Sequence, residues 1–248
     1  MCCFSGKVDV SSTRIFARFV GQQSQALVYQ MKYRAKDPVA MVLPIPTPAG
    51  TKEDAVKFIS LQKYKNFFAD LNSGFIQPGQ DDADAQAPRG LSLGVKPLKV
   101  EEVGDFIASF VPSVADFTRL DERFRLPASA WEKLPDQKKY GFAVFQLKAA
   151  VSETHPMAFT FPTAADAKLF FPTVHIHDGE VHAEAEFDHI LYLQPRRSDE
   201  VLPRHWEEST QPAGMFANEK EAQGLLNGKL HLYRRTLVGK LKNMDTLV

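Results

Sequence analysis

The histidines of this chain are unevenly spread. Four of the seven fall between positions 175 and 189, at His175, His177, His182 and His189. The first three lie in Val174-His175-Ile176-His177-Asp178-Gly179-Glu180-Val181-His182. Asp-Gly between alternating residues predicts a two-residue type I′ hairpin turn. That turn pairs His177 with Glu180, Ile176 with Val181 and His175 with His182. Side chains alternate across a strand, so His175, His177, Glu180 and His182 then share one face. Three imidazoles and a carboxylate on one patch suit a divalent or soft transition metal such as Zn, Fe or Cu. Glu180 would act as a ligand or general base. His189 is a further candidate ligand, with Asp188 able to hold a ligating ring by its other nitrogen. A metal-bound water would support hydrolysis, and an open redox metal would support oxygen chemistry. Two other readings use the same residues: a solvated polar hairpin tip, or a proton-transfer site without metal. A slip of one residue in register would scatter the histidines between faces.

The second concentration of chemistry is Cys2-Cys3, the only cysteines. Neighbouring Cα atoms are ~3.8 Å apart, too close for relaxed disulfide geometry. Removal of the initiator Met would leave Cys2 with a thiol and an amine able to serve as its base. Cys2 is therefore a candidate nucleophile. Alternatively Cys3 or Cys2 completes a mixed nitrogen and sulfur shell, which favours Zn or Cu(I). A lipidated or incidental N-terminus is the third reading.

These groups need elements to position them, and the chain repeats one pattern. Val28-Tyr29-Gln30-Met31-Lys32 precedes Pro38-Val39-Ala40-Met41-Val42-Leu43-Pro44. Val144-Phe145-Gln146-Leu147-Lys148 precedes Pro156-Met157-Ala158-Phe159-Thr160-Phe161-Pro162. Spacing inside the blocks is identical, and the connecting turns differ by two residues. Each block reads as a β-hairpin. Thr51, with Glu53 and Asp54 behind it, predicts a helix carrying Val56, Ile59, Phe67 and Leu71 as far as Asn72. The stretch 76–90 is polar, with Pro, Gly and Asp throughout, and reads as a surface loop or insert. Residues 97–111 read as strands. Short helices are expected after Ser113, over 128–134, over 164–169 and over 219–226. Two strands around Asp178-Gly179 are expected within 170–194, and a strand over 230–237.

Composition narrows the function classes. Hydrophobic residues make up 44% and charged residues 24%, with zero formal net charge, as in ordinary globular proteins. No global charge recruits nucleic acid, and the basic residues of 229–242 read as the solvated face of a strand. Phe numbers 19 against 6 Tyr and 2 Trp, and Phe can be buried without a polar partner, so most belong to a core. No apolar run approaches a transmembrane span. No signal-peptide pattern is present, so a cytoplasmic location is expected. There is no glycine-rich phosphate loop and no G-x-S-x-G elbow.

Several segments resemble an uncharacterised bacterial family built on a domain of unknown function. They are the Cys-containing N-terminus, Arg14-Ile15-Phe16-Ala17, Tyr29-Gln30 and Ala40-Met41-Val42-Leu43-Pro44-Ile45-Pro46. The resemblance continues through Val103-Gly104-Asp105-Phe106, Ala115-Asp116, Phe124-Arg125-Leu126-Pro127 and Tyr140-Gly141-Phe142-Ala143-Val144. It ends near Phe159-Thr160-Phe161-Pro162 and covers about residues 1–193. What it implies concerns fold, since the family has no activity to transfer. The expected architecture is α+β: a β-rich single domain with two pseudo-repeated hairpin halves and short covering helices. The halves are about 1–96 and 97–194, and 195–248 is a C-terminal extension packed on them. The expected function is a metal-binding protein, a hydrolase or oxygen-using oxidoreductase acting on a small molecule. The alternatives are a thiol enzyme using Cys2 or Cys3, or a non-enzymatic interaction module.

Overall fold

The computed structural model describes residues 2–76, 100–103, 106–120, 125, 140–148, 150–165, 167–176, 182–198 and 205–248. The chain opens with β1 (Cys2–Phe4), β2 (Asp9–Phe19), β3 (Ser24–Ala35), β4 (Val39–Ile45), β5 (Lys57–Ser60) and helix α1 (Phe67–Ser73). It continues with β6 (Val100–Val103), β7 (Phe106–Val111), β8 (Gly141–Leu147), β9 (Ala150–Glu153) and β10 (Met157–Pro162). The last strands are β11 (Phe170–Phe171), β12 (His175–Ile176), β13 (Glu184–Gln194), β14 (Glu207–Glu208), β15 (Tyr233–Lys242) and β16 (Thr246–Leu247).

Two large sheets face each other in one β-rich domain with few helices. The first runs β12-β1-β4-β8-β7-β6. The second runs β14-β15-β13-β2-β3-β10-β5, with β9 also pairing β3. Alternation along the strands builds the core between them. Met41, Phe145, Tyr29 and Phe159 point inward from four different strands. Their neighbours Val42, Val144, Val28 and Ala158 point outward into two further apolar clusters. These strands are thus buried on both faces, which explains their near-continuous apolar sequence and the abundance of Phe. A 3-10 turn over Val114–Arg119 covers the outer face of the first sheet through Phe117. Helix α1 and the segment 213–232 cover the second.

The repeated blocks are strand pairs, but the strands of a block do not pair with each other. Strand β3 lies in the second sheet and β4 in the first. In the later block the order is reversed, with β8 in the first sheet and β10 in the second. Each strand then pairs with its opposite number from the other block. Tyr29 sits opposite Met157 in β3–β10, and Met41 opposite Phe145 in β4–β8. Both pairings are antiparallel. The predicted hairpins are therefore two crossovers between sheets, paired reciprocally. Local turn signals cannot distinguish these outcomes, because either return path uses the same turn residues.

Other local predictions yield to tertiary pairing. The predicted helix from Thr51 is broken into a 3-10 turn at Glu53–Ala55, strand β5 and the short helix α1. Strand β5 is held by β10, with Phe58 opposite Phe159 and its ring against Phe145. No helix forms over the described residues of 164–169, where Ala167 has φ 59°. None forms over 219–226 either, where Gln223 and Gly224 both have positive φ. The expected helix at 128–134 and most of the 76–90 stretch lie outside the described residues. The segment 195–248 supplies β15, which pairs with β13 from Glu184↔Lys242 to Leu193↔Tyr233. Gly239 has φ 85° within that strand, opposite Phe187, and only glycine accepts such a φ without strain.

Candidate functional site

The site forms where the edge of the first sheet meets the centre of the second. Strand β12 pairs parallel with β1, Cys2 beside His175 and Cys3 beside Ile176. Strand β13 pairs antiparallel with β15 and parallel with β2. Its pairing with β2 begins only at Ile190↔Arg14. Below that rung the two strands splay, because β2 carries a bulge between Ser11 and Arg14. Ser12 occupies the left-handed region at φ 53° and donates its N–H to Asp188 Oδ2 at 2.5 Å. The splay leaves an open groove of about 630 Å³. Lys7, Asp9, His175, His182, Glu186 and Phe187 are among its lining residues.

Two imidazoles meet beside the groove. His175 Nε2 lies 3.0 Å from His189 Nε2, with ring centroids 4.5 Å apart. Phe187 packs against both rings. His189 is 2% exposed. Asp188 Oδ1 stands 3.6 Å from His189 Nδ1, beyond hydrogen-bonding range, so it acts on the ring through its charge. Burial lowers the His189 pKa below its ordinary value, and Asp188 pulls in the opposite direction. For Asp188, burial alone would raise the pKa. The His189 ring and the N–H groups of Ser12 and Thr13 outweigh it, and the carboxyl titrates below its usual range.

Of the predicted metal set, only two members meet among the described residues. His175 and His189 come together, but Cys3 faces away from them. Cys3 is fully buried with Val42 and Ile176 on the outer side of the first sheet. His175 is the neighbour of Ile176 and alternates to the inner side, against Phe187. His182 is exposed and belongs to no strand. His177 and Glu180 lie outside the described residues. The strands on either side of Asp178-Gly179 enter different sheets, β12 the first and β13 the second. Among the described residues, no group of three or more His, Cys, Asp or Glu is arranged to hold a metal ion. Cys2 lies in β1, its backbone in register with His175.

Residues without any chemical signal in the sequence organise this corner. Asn243 Oδ1 accepts the His175 N–H at 2.8 Å. Its Nδ2 donates to the carbonyls of His175 and His182, both at 3.0 Å. Asp245 Oδ1 accepts the Val174 N–H at 3.0 Å. The C-terminal tail thus straps β12 in place.

A two-sheet, β-rich domain with reciprocal crossovers is the class of protein this geometry defines. No family model matches the chain. Among solved structures the fold is similar to that of baculovirus P35. The crystal structure of P35 is 16% identical, with 97% of this chain and 96% of that chain covered and a TM-score of 0.50. A mutated P35 after caspase cleavage is 14% identical, with coverage of 96% and 98% and a TM-score of 0.50. The caspase-8/P35 complex is 14% identical, with coverage of 96% and 95% and a TM-score of 0.50. At these identities the likeness establishes the fold. With the donor geometry above, it overturns the expectation of a metal-binding protein with a metal-dependent hydrolase or oxidoreductase activity. Among the described residues no helix is long and apolar enough to cross a membrane.

Proposed function

We propose that this chain is a non-enzymatic interaction module that binds a caspase and reduces its turnover. The observation that carries the reading is the fold likeness along nearly the whole length of both chains. Two of the similar structures concern a caspase, one as a complex and one after cleavage. The site chemistry agrees with a binding role. The one close imidazole pair seen among the described residues has a member that is almost fully buried. A general base must reach substrate within hydrogen-bonding distance, and His189 does not reach solvent.

The test uses purified full-length chain and a caspase panel that includes caspase-8. Hydrolysis of a fluorogenic peptide is followed at increasing chain concentration. Gel filtration reads complex formation, and intact mass locates any cut. The expected result is loss of caspase activity at near-stoichiometric chain, with a co-eluting complex. Full caspase activity at a ~10-fold molar excess, without a complex in any arm, overturns the reading.

A further inference from the structure

The His175–His189 contact has no part in the binding role proposed above. It sits at a sheet edge, on a short strand strapped by Asn243 and Asp245. Strand β12 is two residues long and meets β1 through two rungs, Cys2↔His175 and Cys3↔Ile176. The other side of β1 is held by β4, through Cys3↔Val42 and Phe4↔Met41. The outer side of the N-terminal strand therefore depends on the strand that carries His175. His189, by contrast, is fixed within β13, opposite Leu237 of β15.

Two imidazole nitrogens 3.0 Å apart share one proton: one ring donates and the other accepts. A neutral pair, or a pair with one charge, satisfies that contact. A second proton sets N–H against N–H and puts two positive charges at the same separation. Water cannot stabilise the charge on His189, which is 2% exposed. One ring must leave: Asn243 holds the His175 backbone, but the His175 side chain is half-buried and lines the open groove, whereas His189 is enclosed. We propose that the His175–His189 contact is a pH-operated latch: protonation of both rings expels His175 and loosens the outer side of the N-terminal strand.

The surrounding charges set the terms. Asp188 Oδ1 lies 3.6 Å from His189 Nδ1 and favours the first proton there. Lys7, Asp9, His182, Glu184 and Glu186 line the groove, and Glu184 is paired with Lys240 at 2.9 Å. Asp245 holds the backbone of Val174, next to β12, and the charge of the N-terminal amine opposes protonation of His189. The direction of the effect follows from the lowered His189 pKa. Its stabilising contribution is complete above the ordinary histidine value of 6.5. It is lost as pH falls through the lower, folded value.

Cys3 is the natural reporter, since it lies in β1 and is fully buried. In a Cys2→Ser background, labelling by 4,4′-dithiodipyridine is timed at about pH 7.5 and about pH 5.5, spanning the histidine range. Rates are normalised to the urea-unfolded chain at each pH. The expected result is labelling at least ~10-fold faster at the lower pH, reporting local opening. His175→Gln and His189→Gln each remove that dependence, and Asp245→Asn retains it. A parent rate independent of pH overturns the latch. So does a dependence kept by both histidine variants and lost in Asp245→Asn. Circular dichroism checks that each variant folds. If the histidine variants do not, the ring-proton NMR titration of the parent decides. Two separated, coupled steps support the latch, and two independent single-step titrations overturn it.

Discussion

Asn243 makes three hydrogen bonds to the backbone of His175 and His182. It is the residue that closes this corner of the molecule, and it looks like an ordinary polar residue near a chain end. Replacing it by Ala leaves one amide N–H and two carbonyls to find new partners. A net hydrogen bond is worth about 1 kcal/mol, so Asn243→Ala is expected to cost about 2–3 kcal/mol. Met244→Ala, next to it and 53% exposed, is expected to change stability by less than about 0.5 kcal/mol. Urea unfolding of the two variants checks the contrast, and equal midpoints would remove the strap role. The histidines themselves were legible as a cluster from their spacing. Their arrangement was not, because it depends on partners such as Cys2 and Asn243, far away along the chain. Ser12 was equally silent: nothing in Ser11-Ser12-Thr13 marks which residue takes positive φ to reach Asp188.

At the scale of elements, apolar patterning identified most strands and missed how they pair. The echo between 28–44 and 144–162 was visible because both blocks bury both faces of their strands. Whether such a block returns on itself or crosses to the facing sheet depends on contacts more than a hundred residues apart, such as Tyr29 with Met157. The predicted helix from Thr51 failed for a related reason. Val56 and Ile59 fit either a helical face or a strand, and the open side of β10 selected the strand. What remained helical is α1, seven residues long and too short to be stable alone. It persists because Phe67, Phe68 and Leu71 are buried against the second sheet. Its C-cap residue is Gly74, where an added Cβ would lie 2.3–2.6 Å from ring carbons of Phe216. Gly74→Ala is therefore expected to destabilise by about 1–3 kcal/mol through overpacking. Gly50→Ala, with open space around it but φ +75°, tests backbone strain alone and is expected to cost about 1 kcal/mol. Denaturant midpoints rank the two, and a harmless Gly74→Ala would mean that Phe216 moves aside freely.

At the scale of the whole molecule, the reciprocal crossovers tie the two ends of the chain together. The residues before position 77 supply β1 to β5, and those after position 99 supply β6 to β16. Neither part forms a complete sheet. Strand β4 pairs with β8, β3 with β10, and β2 with β13. Phe58 of the first part packs on Phe145 and Phe159 of the second. Gln25 accepts the Phe170 N–H at 2.9 Å and donates to its carbonyl at 2.7 Å. One backbone cut between 77 and 99 removes none of these contacts. Both parts stay anchored in both sheets. Under the caspase-binding reading proposed above, a ligand that is cut yet keeps its shape would remain on the protease. The expectation can be checked without any caspase. A recognition sequence for an unrelated site-specific protease is placed between 77 and 99, and the purified chain is cut to completion. The two fragments are expected to co-elute at the size of the intact chain in native gel filtration. They should melt in one transition and separate only in denaturant. Dissociation under native conditions would show that the crossovers do not hold the parts together, and would remove this route to a lasting complex.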